Sequence, residues 1–283
     1  MSAVPSDALR RLRANPLALG ALAIIVAVIA TALAGPWLNP NDLQSLDWAH
    51  VASGPALAGA HWLGTDRLGR DLFVRTLEGT RVSLTVGLVA SAISLGVGIS
   101  YGAVAGYAGG RTDHVMMRFI EVLSGLPLIF FVIVLTVVLG RGPLLLYFTI
   151  GAVGWLTMAR IVRGQTLSIR QREYIEAAVA SGASSGRIIV KHVVPNLLGP
   201  VIVYATLTVP QIVLFESFLS FLGLGVQEPH ASLGTLIAEG ASEMEAAPWI
   251  LLVPGSVLAV LLSCLHILGD GLRDAFDVTE RQA

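Results

Sequence analysis

Six stretches of roughly 17 to 25 uncharged, mostly apolar residues run through this chain, each about as long as a helix must be to cross a bilayer's hydrocarbon core. They are Leu17–Ala34, Val82–Gly106, Val122–Gly140, Pro143–Ala159, Pro195–Phe215 and Pro248–Leu265. Unpaired backbone groups are so costly in lipid that these runs are expected to be helices despite their many Val and Ile residues. The fold class that follows is an all-α integral membrane protein with six spans. Composition agrees: 54% of the residues are hydrophobic and 13% charged, against about 25% charged in soluble domains.

The basic cluster Arg10, Arg11, Arg13 before the first run could introduce a secretory signal. The run is instead read as a retained helix, because GPWLNP follows it where small residues would mark a cleavage site. An even number of spans puts both termini on one side. With the amino terminus inside, thirteen Lys and Arg residues fall in inner segments and five in outer ones, so both termini are expected in the cytoplasm.

Gly98, Gly102 and Gly106 recur at spacing four in the second run, leaving one helix face nearly bare. Packing within the chain's own bundle is favoured over dimerisation for this face. Pro127, Pro200 and Pro210 each remove a backbone donor and invite kinks.

Two loops on the outer side are long. In Pro36–Arg81, the stripe Leu68, Leu72, Phe73 and Leu77, with Arg67–Asp71 and Asp71–Arg75 as helical ion pairs, predicts an amphipathic helix on the membrane surface. Glu216–Ala247 carries Glu216, Glu228, Glu239, Glu243 and Glu245 with no Lys or Arg. It reads either as an acidic rim for a soluble partner or as a solvated loop.

Several chemistries are excluded. The single lysine, Lys191, follows no Gly-rich phosphate loop, so nucleotide hydrolysis must belong to another polypeptide and no cofactor is expected in this one. The lone Cys264, inside an apolar run, rules out an internal disulfide and reads as a buried small hydrophobe. His50, His61, His114, His192, His230 and His266 form no His-x-x-x-His pair, and no metal site is expected from that spacing. No Gly-x-Ser-x-Gly elbow is present, and no catalytic residue is assigned. Glu121, Glu216, His266 and Asp270 lie near span ends, where interfacial solvation accounts for them. Net charge is −1, so no basic field argues for nucleic acid.

The segment EYIEAAVASGASSGRIIVKHVVPN, Glu173–Asn196, lies between the fourth and fifth runs. Good helix formers with Glu173 and Glu176 early predict a short helix over 172–183. Its Ala and Gly residues keep it thin enough for another backbone to approach. Gly182 and Gly186 allow a bend, 187–194 starts a second short helix, and Pro195 suits the first turn of the next span. A compact knob at the membrane face and a solvated connector both satisfy this pattern.

Glu176, Ala177, Ala178, Gly182, Ala183 and Pro195 resemble the Glu-Ala-Ala loop of permease subunits in bacterial ATP-binding-cassette importers. The family's loop ends in Ile, any residue, Leu, Pro, where this chain has His192, Val193, Val194 and Pro195. GTDRLGRDLFVRTLEGTRVSL (Gly64–Leu84), FLSFLGLGVQEP (Phe218–Pro229) and GDGLRDAFD (Gly269–Asp277) are similar to segments of the dipeptide, oligopeptide and nickel branch, and the whole resembles its second permease subunit. The resemblance implies a type I importer fold, with residues 1–81 preceding a five-helix core over 82–283 whose coupling loop spans about 164–195. It implies a heterodimer with a second permease, two ATPase subunits that bind the ATP, a substrate-binding protein outside, and residence in the bacterial inner membrane. Peptides are the implied cargo, with nickel or another small solute as the alternative. An ion-coupled secondary transporter and a membrane enzyme are the rival classes. No substrate-contacting residue is named by any motif.

Overall fold

The computed structural model describes residues 10–39, 41–56, 59–139 and 142–276, so Pro40, Gly140, Arg141, Asp277 and Arg281 lie outside the described residues. Five long helices carry the bundle: α1 (Pro16–Leu38), α2 (Leu72–Ala108), α5 (Pro143–Arg170), α8 (Val194–Phe221) and α10 (Trp249–Phe276). Between them lie α3 (Gly110–Ser124), α4 (Leu128–Leu139), α6 (Glu173–Ala180), α7 (Ser185–Ile188) and α9 (Leu233–Ser242). No strand occurs among the described residues.

All five helices outrun the uncharged stretches that predict them, because a helix keeps its hydrogen-bond ladder after it leaves the hydrocarbon. Local chemistry fixes several ends. The Asn15 side chain caps α1 through the amides of Leu17 and Ala18, and Pro16 fills its first turn. Asp71 caps α2 by accepting from the Val74 amide at 3.0 Å, and Gly109, at φ +64°, ends it.

The third expected span is corrected. Val122 and Leu123 close α3, which meets the following helix, α4, at 87° instead of continuing into it. Pro127 sits in the break, where the residue before a proline resists helical geometry. Among the described residues five helices are therefore long and apolar enough to span alone, or up to six if the bent pair is one span.

The glycine face of α2 packs against α5 within this chain, as expected. A Cβ at Gly98 would lie 2.6 Å from Met158 Cβ, and one at Gly106 would lie 2.7 Å from Thr166 Cβ. Both positions advance together along their helices, so α2 and α5 run parallel, with the bent pair returning the chain between them. The α8 helix runs antiparallel to α2, Gly87 facing Val213 and Ser83 reaching Glu216. The α1 helix docks through Ala21 and Ile25 on Cys264 of α10, and Cys264 is buried as a packing residue. Arg81 of α2 donates to the Ala32 carbonyl of α1 at 2.8 Å, giving a partner to a carbonyl that Pro36, lacking an N–H, cannot serve.

The surface amphipathic helix is not observed. Leu72, Phe73 and Leu77 belong to the first turns of α2 itself. Neither anticipated helical ion pair forms: Asp71 is spent on the cap and on His61, whose Nδ1 lies 2.8 Å from its Oδ2, while Arg75 turns to Asp66 and Glu239. The pattern misleads because an amphipathic stripe marks a helix face, not the element that covers it.

Candidate functional site

Residues 171–193 form a compact projection at the end of the bundle where α2 and α5 finish. Its first helix, α6, has Glu173 and Glu176 in the first turn, at the positive end of the helix dipole. It stops in a Schellman motif: the Ala183 amide donates to the Ala178 carbonyl at 3.1 Å, and the Gly182 amide to the Val179 carbonyl at 2.9 Å. Gly182 takes φ +77°, which a side chain disfavours, and a Cβ there would meet nothing within 4 Å. Backbone geometry, not crowding, requires this glycine.

Three buried side chains anchor the projection, and Ile175 is the one that α6 supplies. Ile175 is 2% exposed and packs with Ile188, Val193 and Leu197 against Ala103, Met158 and Val162 of the bundle. Burying it contributes about 1.5–3 kcal/mol. Glu176, Ala177, Gly182 and Pro195 are exposed, and Ala178 and Ala183 are half-buried. Five of the six expected residues thus share one projection, with Glu176, Ala177 and Gly182 outward, and Pro195 follows it in the first turn of α8. Glu176 also lines a groove of about 780 Å³ beside Tyr107, Arg170 and Ser185.

The second short helix is corrected in one respect. It does not end before the fifth span: Ser185–Phe221 is one continuous run of 37 residues, about 55 Å long at 1.5 Å per residue. A π-helical turn over Ile189–Val193 precedes Pro195, and the Val194 amide reaches back to the Ile189 carbonyl. The wider turn makes room for a ring that would collide with the carbonyl four residues earlier. Pro195 therefore sits in the first turn of α8, as expected, at a widened joint where that helix continues the longer rod.

Around the projection, Arg163 of α5 grips Asp113 of α3 with two hydrogen bonds, 2.6 and 2.5 Å, a bidentate geometry that fixes orientation. Higher in the bundle, α5 and α8 flank a cavity of about 470 Å³ lined by Thr157, Thr208 and Gln211 among apolar side chains such as Ile161 and Phe215. No sequence motif flagged these polar residues, which become neighbours only when the two helices pack.

At the opposite end the structure corrects the reading of the acidic segment. Arg75, 2% exposed, donates to Asp66 at 2.6 Å and to both oxygens of Glu239 at 2.6 and 3.0 Å. Arg70 joins through Asp66 at 2.6 Å and Glu228 at 3.0 Å. Two of the five glutamates therefore neutralise buried arginines 158 and 164 residues earlier. Burial favours a neutral Asp66 carboxyl, but the Arg70 amide and the Arg75 charge outweigh it and hold Asp66 below the ordinary aspartate range. Glu216 is corrected more sharply: it is fully buried, accepting from Ser83 at 2.9 Å and Ser220 at 2.6 Å. His266, Asp270 and Glu121 are exposed.

Residues 98–280 match the family described as binding-protein-dependent transport system inner membrane component. Residues 6–55 match the N-terminal transmembrane domain of oligopeptide transport permease C. Among curated relatives, the oligopeptide transport system permease protein of Haemophilus influenzae is 48% identical over 275 residues, 97% of this chain and 88% of the relative. The dipeptide transport system permease protein of Bacillus subtilis is 45% identical over 274 residues, 96% of this chain and 84% of the relative. A solved structure of the MetNI methionine ABC transporter in an inward-facing conformation aligns at TM-score 0.56 and 19% identity, over 71% of this chain and 96% of that one, and shows the same fold. With this family match over most of the helical core, the chain belongs to the inner membrane permease components of binding-protein-dependent transport systems.

Proposed function

We propose that this chain forms half of the translocation pathway of an ATP-driven importer of short peptides and that residues 173–183 are its contact with the ATPase. The single observation carrying the proposal is the projection itself: a thin, Ala-rich helix anchored by Ile175 and joined by the Gly182 turn to the unbroken rod that contains α8. A push on α6 is delivered directly to the α5–α8 cavity, because the rod that bears one wall of that cavity also bears the projection. Peptide as cargo rests on the names of the Haemophilus influenzae and Bacillus subtilis relatives.

In this reading Glu176 makes the polar contact with the ATPase, Ala177 and Ala178 allow close approach, and Gly182 and Ala183 make the tight exit. Pro195 marks the joint where the rod flexes. ATP is bound by the two ATPase subunits; a second permease completes the pathway and a binding protein delivers peptide on the far side. Both termini, with the projection, face the cytoplasm, consistent with the Lys and Arg asymmetry.

The test is affinity extraction of the tagged chain from its native membrane in mild detergent, with mass spectrometry of what remains bound. Recovery of a second permease and two ATPases, with loss of the ATPases alone for Gly182→Trp, supports the proposal. A chain that emerges alone and drives peptide uptake in vesicles without ATP overturns it.

A further inference from the structure

The loop before α2 brings together two histidines eleven positions apart that no sequence spacing links. Asp47 caps the short 3-10 turn Trp48–His50 by accepting from the Ala49 amide at 3.0 Å through Oδ1. Its other oxygen, Oδ2, lies 2.9 Å from His50 Nδ1 and 3.3 Å from His61 Nε2. The three donor atoms all lie within 4.8 Å of one another.

The surroundings hold this trio in place. His61 Nδ1 lies 2.8 Å from Asp71 Oδ2, and the Asp71 side chain is 1% exposed. Asp71 is fully engaged, accepting from Asn41 Nδ2 at 3.0 Å and capping α2 with its other oxygen. An ionised carboxylate only accepts, so His61 donates from Nδ1 and presents Nε2 toward Asp47. That arrangement, a carboxylate behind one ring nitrogen with the other nitrogen turned to a ligand position, fixes tautomer and ring direction in metal-binding histidines. The backbone is pinned as well: the Asp47 amide donates to the Gly69 carbonyl at 3.1 Å, and Thr65 Oγ1 donates to the His50 carbonyl.

We propose that Asp47, His50 and His61 form a site for one divalent transition-metal ion, best matched by Zn²⁺, with Asp71 as its supporting carboxylate. Two imidazoles and one carboxylate are a donor set that zinc takes readily, with a fourth position left to water. Zinc–nitrogen bonds of about 2.0–2.1 Å in tetrahedral geometry place ligand atoms about 3.4 Å apart. The two Asp47 contacts already lie near that spacing. The remaining His50–His61 approach closes by rotation of His50, whose side chain is 59% exposed and free to turn. The ion clips the loop at residues 47 and 61 and, through Asp71, ties it to the first turn of α2. It is a resident ion of this loop and does not depend on the cargo or on the ATPase contact.

The test uses the intact transporter in nanodiscs, purified without a histidine tag and stripped with a chelator. ZnCl₂ is titrated against a chromophoric chelator, and Co²⁺ is then substituted to read the intense visible bands of tetrahedral coordination. The expected result is one site per copy of this chain that weakens at least tenfold in His50→Ala and in His61→Ala, and about 10- to 100-fold in Asp71→Asn. His230→Ala, whose ring pairs with Glu78 instead, leaves the titration unchanged. His50 is exposed, so its variant keeps the fold. Equal zinc stoichiometry and affinity in wild type and the His50→Ala/His61→Ala double variant, or Co²⁺ spectra they share, overturns the proposal and leaves the trio as hydrogen-bonded ion pairs.

Discussion

Arg75 and Asp66 lie 2.6 Å apart with both side chains almost wholly buried, at 2% and 1% exposure. The pair joins the first turns of α2 to the loop before it, and Glu239 extends the connection to α9. A charge pair this deep is costly to half-remove, because the survivor is left without its partner in a medium that cannot solvate it.

Arg75→Ala is therefore expected to destabilise the protein by about 3–5 kcal/mol. Arg118→Ala, which removes a pair whose side chains are 79% and 59% exposed, should cost about 0–1 kcal/mol. Thermal unfolding of the two variants in the same detergent measures the contrast; equal shifts would show that the Arg75 cluster is not an internal tie.

The same cluster sets a pH dependence. Asp66 is held below its ordinary value in the folded protein, so the unfolded chain binds its proton first as pH falls. Its contribution to stability is complete above the unfolded value of about 3.9 and is lost as pH drops through the folded value below it. Unfolding followed from pH 6 to pH 2 should show an acid loss that Asp66→Asn flattens.

Gly102 has no room for a methyl group: a Cβ there would press on the Ala159 carbonyl and lie 2.8 Å from Val162 Cβ. Gly102→Ala should cost about 1–3 kcal/mol through overpacking, whereas Gly96→Ala, with nothing within 4 Å, should be neutral or slightly stabilising in the helix. Paired melting curves distinguish a seam inside the chain from a face that serves association.

Glu216 offers a test of shape against charge. Glu216→Gln keeps the size and an acceptor for Ser83 or Ser220, whose hydroxyls can rotate to match, and should shift stability by less than about 1 kcal/mol. Glu216→Ala leaves those two buried hydroxyl donors without their acceptor and should cost about 1–3 kcal/mol for each. Comparable loss in both variants would mean that the negative charge itself is required.

Gly182→Trp places a side chain at a backbone angle that favours glycine, but into open space. Insertion and folding should persist with a local penalty of about 1–2 kcal/mol. ATP-stimulated uptake should fall to background, as read in proteoliposomes. Wild-type uptake would show that the projection is not the ATPase contact.

Helix positions were legible in the linear chain because lipid leaves the backbone one economical choice, and 17 or more uncharged residues can satisfy it only by coiling. The glycine face of α2, the small projecting helix after α5 and the bend at Gly182 were legible too, since each depends on residues within a few turns of one another. Pairings across distance were not. Arg75 and Glu239 stand 164 positions apart, Ser83 and Glu216 133 apart, and nothing in either segment names the other. The bend near Pro127 was foreseeable as a kink but not in its 87° size, and the unbroken rod from Ser185 to Phe221 was hidden by a proline that a π-turn accommodates. Local hydrogen bonding and solvent choice decide which residues coil. Only packing decides which buried charges meet, because burial is a property of neighbours that the chain order does not record.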